Sequence, residues 1–121
     1  MRSRSLIAAG VLVLVAATGS AAGASRGAAR GPVTVRMGEF FYKPRLVVVR
    51  VGQHLRFVNV GKIEHTVADT DAGWNIRSRF IHPRPLAHGD AQTVTFKRVG
   101  TYKYLCTFHP TLMRGRIRVV P

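Results

Sequence analysis

The stretch YKYLCTFHPTLMRGRIRVV, Tyr102 to Val120, decides how the chain folds and where its chemistry lies. Its first part alternates, placing Tyr102, Tyr104 and Cys106 on one face of an extended strand, so the thiol points inward at the strand's end. Its last part alternates again, with Ile117 and Val119 facing in and Arg116 and Arg118 facing out. Between them the chain leaves the sheet, and Pro110 favours a turn that swings His109 and Met113 back toward the sulfur. Cys106 is the only cysteine, so it cannot close an internal disulfide.

Upstream, the period of two continues and no helical period competes with it. Val33–Met37 reads as a first strand, extended by Phe40–Tyr42 past a bulge at Gly38, and Pro44 marks a break. Arg45–Val51 is β-branched and ends at the Gly52-Gln53 turn. His54–Val60 places Leu55, Phe57 and Asn59 on one face, and Gly61-Lys62 turns the chain into a strand at His65–Ala68. Asp71–Gly89 carries Gly73, Pro83, Pro85 and Gly89 and reads as a long loop with room for one helical turn. Gln92–Lys97 and Thr101–Cys106 are strands flanking the Val99-Gly100 turn, and Arg116–Val120 closes the chain. About seven short strands at regular spacing predict an all-β sandwich or barrel.

The N-terminus sets the compartment. Arg2 and Arg4 precede an apolar run from Leu6 to Ala17, then small residues and an A-x-A site at Ala22-Gly23-Ala24. This is the layout of a secretory signal peptide over residues 1–24, cleaved near Ala24. The run is shorter than the roughly 20 residues that cross a bilayer; an uncleaved N-terminal membrane anchor is the alternative. Residues 25–31 (SRGAARG) form a disordered lead-in, and 32–121 suffice for one small domain. Export implies a periplasmic, cell-envelope or secreted protein, and a free thiol in such an oxidising place is a liability unless something occupies the sulfur.

The chain has 19 basic and 5 acidic residues, a net charge of +14. Nucleic acid is the usual partner for such a balance, but export argues against it. The cations recur singly at alternate strand positions, Arg45, Arg50, Arg56, Arg114, Arg116 and Arg118. They describe a solvated sheet face attracted to acidic protein partners or anionic cell-envelope surfaces.

Thiolate, imidazole and thioether stand together at Cys106, His109 and Met113. Soft sulfur donors suit copper, and two histidines with a cysteine and a weak axial methionine make a blue-copper centre. His65, placed by the Gly61-Lys62 turn at one end of the sandwich, is the natural second histidine. Structural zinc would need four closed ligands, and the chain has no C-x-x-C. A nucleophilic Cys–His pair lacks a third orienting residue and room for a substrate pocket. His54, His82 and His88 read as solvated; a second, labile copper site at His82 and His88 is the sharper alternative.

Residues 33–121 resemble the cupredoxins, the group of plastocyanin, amicyanin and pseudoazurin. The likeness rests on Pro44 before a Val-rich strand, Gly52, Asn59, His65-Thr66-Val67, Gly100-Thr101-Tyr102, and Cys-x-x-His followed by Met and Gly. It is weakest across 71–90. The resemblance implies an eight-stranded Greek-key sandwich and one type 1 copper ion. His65, Cys106 and His109 would be its equatorial ligands and Met113 its axial one. Met113 follows His109 by four residues, between the three of amicyanin-like loops and the five of plastocyanins. Thr66 stands where plastocyanin-like proteins carry an Asn that ties the ligand loops together.

By the same resemblance the protein is a monomeric one-electron carrier rather than an enzyme. His109 would be its electron port within an apolar patch of Phe108, Pro110 and Leu112, with Arg114 and Lys62 favouring an acidic redox partner. A copper carrier or buffer, or an accessory domain that seldom holds the metal, are the rival roles.

Overall fold

The computed structural model describes residues 10–14 and 31–121. The leader and lead-in expected over 1–31 lie almost wholly outside these. Residues 10–14 are exposed and have no regular secondary structure, and no described helix is long and apolar enough to cross a membrane.

Among the described residues eight strands follow in order: β1 (Val33–Gly38), β2 (Phe41–Lys43), β3 (Leu46–Arg50), β4 (Leu55–Asn59), β5 (Ala68–Thr70), β6 (Ala91–Val94), β7 (Gly100–Leu105) and β8 (Arg114–Val120). They form two four-stranded sheets, β2-β1-β4-β6 and β3-β8-β7-β5. Strands β1 and β4 pair in parallel, as do β3 and β8, and the other pairings are antiparallel. The chain passes repeatedly between sheets, giving the all-β Greek-key sandwich.

Alternation explains the core. Val35 and Met37 of β1, Leu55 and Phe57 of β4, Val47 and Val49 of β3, and Ile117 and Val119 of β8 are all buried between the sheets. Tyr42, Phe57 and Tyr104 meet edge to face in its centre, with ring centroids 4.7 to 6.5 Å apart, a geometry aromatic quadrupoles favour. Gly115, opposite Tyr104 in the β7–β8 register, leaves room for that ring, which a Cβ there would strike.

Three local expectations are corrected. Residues 40–42 do not extend β1 past a bulge; the chain folds back after Gly38, so that Met37 faces Tyr42 and Gly38 faces Phe41. This brings Tyr42 into the core, where its hydroxyl donates to the Thr66 carbonyl at 2.6 Å. His65 begins no strand: it makes an isolated bridge with Leu86, and β5 starts at Ala68. The segment 71–89 contains no helical turn. It is held by the buried Asp69 carboxylate, which accepts from the amides of Arg79, Phe80 and Ile81, and by Ile81 and Leu86 sunk in the core.

Candidate metal centre

At one end of the sandwich the loops 59–66 and 106–113 meet. Asn59, fully buried at the end of β4, shapes the first of them. Its side-chain amide donates to the carbonyls of Ile63 (2.8 Å) and Leu86 (2.7 Å), and its oxygen accepts from the Gly61 amide. The His65 backbone then pairs both ways with Leu86. In the second loop, Cys106 N–H donates to the Met113 carbonyl at 3.1 Å, while His109 N–H returns to the Cys106 carbonyl and Met113 N–H to the His109 carbonyl. These bonds close a tight turn.

The donor atoms of His65, Cys106 and His109 all lie within 4.8 Å of one another. Cys106 Sγ is 3.6 Å from His109 Nδ1. His65 and Cys106 are fully buried, and His109 is half-buried. Met113 is also fully buried and is tied by its backbone to Cys106 and His109.

Two residues absent from the sequence-derived set complete the surroundings. Glu39, in the β1–β2 turn, places Oε1 3.1 Å from His65 Nε2, and also accepts from the amides of Lys62 (2.7 Å) and Ile63 (3.0 Å). These contacts, the Ile63 amide first and then His65, hold its carboxyl below the usual carboxylate range. Gly61 permits the approach, since a Cβ there would collide with the carboxylate. Phe40 lays its ring against His109, with centroids 4.5 Å apart, and meets His65 edge-on at 6.3 Å. Neither carries a sequence signal, because both reach the site only when β2 folds back on β1.

Thr66 ties the two loops together in place of the Asn of plastocyanin-like chains. Its amide donates to Cys106 Sγ at 3.4 Å, its hydroxyl lies 2.7 Å from that of Thr107, and its oxygen accepts the Thr107 amide at 2.8 Å. The cross-link therefore exists with different chemistry.

The residues fit a copper ion on their own evidence. His65 Nε2 is engaged by Glu39, while Nδ1 is buried without a hydrogen-bond partner. Such an orphan costs about 1–3 kcal/mol, a cost that a metal bond at that nitrogen removes. With a thiolate and a second imidazole within reach, the donor set is that of a type 1 copper site. Among the described residues no second cluster of this kind forms: His82 and His88 join none, and His88 Nδ1 donates to the Gly61 carbonyl at 2.7 Å.

The copper-binding protein model of the plastocyanin/azurin family matches residues 29–120. Among solved structures, the chain is 25% identical to a purple cupredoxin from Nitrosopumilus maritimus, covering 73% of this chain and 99% of that one with a TM-score of 0.67. It is 27% identical to the reduced Cu(I) form of an amicyanin P52G mutant, over 74% of this chain and 83% of the other, with a TM-score of 0.63. A copper-containing nitrite reductase from Thermus scotoductus SA-01 is 29% identical over 74% of this chain, with a TM-score of 0.63, but the match spans only 22% of the reductase. No curated protein matches the chain. The shared fold, the cluster of His65, Cys106 and His109, and the family match agree: the chain belongs to the plastocyanin/azurin family of copper-binding proteins, and copper is its cofactor.

Proposed function

We propose that the protein is an exported one-electron carrier, in which His65, Cys106 and His109 hold copper with Met113 as axial ligand. The observation that carries this is the convergence of three donors at 4.8 Å or less around the unpartnered Nδ1 of a buried histidine. Bound copper supplies the one-electron Cu(II)/Cu(I) couple. The chain's own residues keep the site rigid and dry: Glu39 orients His65, Thr66 holds the sulfur, and the backbone of the 106–113 turn fixes His109 and Met113. Ligands held by a folded sandwich move little between oxidation states, which keeps the cost of transfer low.

His109 is the port. It is the half-buried member of the set, Phe40 packs against it with a tilted ring, and exposed Phe108, Pro110 and Leu112 surround it in sequence. Three of the four proposed ligands, His65, Cys106 and Met113, are fully buried, which favours an electron carrier over substrate turnover at the metal. Arg114 and Lys62 stand by the ligand loops and favour an acidic redox partner, with steering that fades as salt shortens the screening length.

Adding Cu(II) to the purified protein and recording its visible and EPR spectra tests the site. An intense thiolate-to-copper band with narrow hyperfine splitting, lost in Cys106→Ser, is expected; an ordinary tetragonal Cu(II) spectrum overturns it. Reversible voltammetry with copper retained supports the electron carrier. Ready loss of Cu(I) to a chelator would make the protein a copper carrier instead.

A further inference from the structure

The outer face of the β3-β8-β7-β5 sheet takes no part in the metal centre. Register sets Leu46, Arg116 and Lys103 side by side across three strands, with Val48, Arg118 and Thr101 in the next row. Leu46 and Val48 are 55% and 51% exposed. Trp74, from the loop after β5, lies on this face among cations. The Arg114 guanidinium carbon is 4.6 Å from its ring centroid, Lys103 Nζ 4.8 Å, and the Arg116 guanidinium carbon 5.9 Å. With Arg45, Leu46, Gly115 and Arg116 it borders a groove of about 250 Å³, room for a single side chain.

The chain cannot neutralise this face itself. It has five acidic residues. Glu39 is on His65, Asp71 pairs with Arg77, Asp69 is buried on backbone amides, and Asp90 accepts from the Ala87 amide. Glu64, the fifth, is exposed and makes no ion pair among the described residues. Among the described residues, no carboxylate pairs with Lys103, Arg114, Arg116 or Arg118. A second copy, at the same +14, would be repelled. The occupant is therefore a different, anionic molecule. A polymer carrying charge alone would leave Leu46, Val48 and the Trp74 groove uncovered, whereas tryptophan and arginine around exposed aliphatics is the composition of a protein-binding hot spot.

We infer that this face docks an acidic protein surface, one apolar side chain entering the Trp74 groove while flanking carboxylates pair with Arg116, Arg118 and Lys103. Arg114 Nε donates to the Pro110 carbonyl at 2.8 Å, so a partner seated here lies against the loop that follows His109. The inference says where an acidic partner binds and does not depend on electron transfer.

Trp74 is the only tryptophan, so its fluorescence reports on this face alone. The copper-loaded protein is titrated, by fluorescence and calorimetry, with the peptide Asp-Glu-Leu-Asp-Glu-Phe-Asp-Glu, with poly-L-glutamate and with phosphatidylglycerol vesicles. The mixed peptide should bind most tightly and shift the Trp74 emission. Its affinity should fall about tenfold in Arg116→Glu and measurably in Leu46→Ser, with the thiolate–copper band unchanged in both. Equal or tighter binding of polyglutamate or vesicles, no effect of Leu46→Ser, or no binding of the peptide each overturns the inference. Cys106→Ser should keep peptide binding while losing the copper band, which separates this surface from the function of the metal site.

Discussion

Glu39 Oε1 lies 3.1 Å from Nε2 of His65 and leaves that histidine's Nδ1 as the free donor. With His65 as the proposed copper ligand, the carboxylate would leave Nδ1 for the metal and make the imidazole more electron-rich, as a carboxylate behind a metal-bound histidine does. Glu39→Gln keeps the shape and removes the charge. It should weaken Cu(II) more than Cu(I) binding by about tenfold, raising the reduction potential by about 59 mV. Voltammetry of the variant checks this; a lowered or unmoved potential would mean that the carboxylate only holds the loop.

Thr66 joins the ligand loops through its hydroxyl, which accepts the Thr107 amide at 2.8 Å. Thr66→Val preserves the volume but strands that amide and the Thr107 hydroxyl. A loss of about 1–3 kcal/mol is expected in denaturant unfolding of the copper-free protein, with faster copper release. Unchanged stability would show that the loops are held by the backbone bonds alone.

Gly115→Ala drives a methyl into the ring of Tyr104. Tyr104 is fully buried in the packed aromatic centre and cannot yield. Overpacking of this kind costs about 1–3 kcal/mol, read as a lower unfolding midpoint. Tyr104→Phe should be close to neutral, because its hydroxyl is buried with no hydrogen-bond partner.

Asp71 shapes the loop that presents Trp74, accepting from the Gly73 and Asn75 amides and from Arg77. The Asn75 amide above all holds its carboxyl down from 3.8 to about 2. A folded-state value below the unfolded one means that its contribution is whole above the unfolded pKa and is lost as pH falls through the folded one. Trp74 emission should therefore change between about pH 4 and pH 2, and Asp71→Asn should abolish that step. Persistence of the step in the variant would assign it to another group.

Much of the site was legible because its signals are local. Cys106, His109 and Met113 lie in one turn, and the alternation of Tyr102, Tyr104 and Cys106 aims the thiol inward without reference to other strands. The β2 hairpin and the bridge at His65 were misplaced for the opposite reason. The same β-branched and aromatic residues suit a continued strand or a folded-back one, and only packing distinguishes them. In the loop 71–89, glycines and prolines announce irregularity but say nothing of the Asp69 carboxylate that organises it.

The sequence by itself determined the class of fold and marked Cys106 and His109 as candidate metal donors, because strand period and the Cys-x-x-His spacing are written in neighbouring residues. Tertiary structure alone decided which groups surround them. Glu39 meets His65 across 26 residues and Thr66 meets Thr107 across 41, while Trp74 meets Arg114 and Arg116 from the other side of β7. Those pairings depend on strand order and on which way each turn folds, and both are settled by burial of the common core rather than by any one segment.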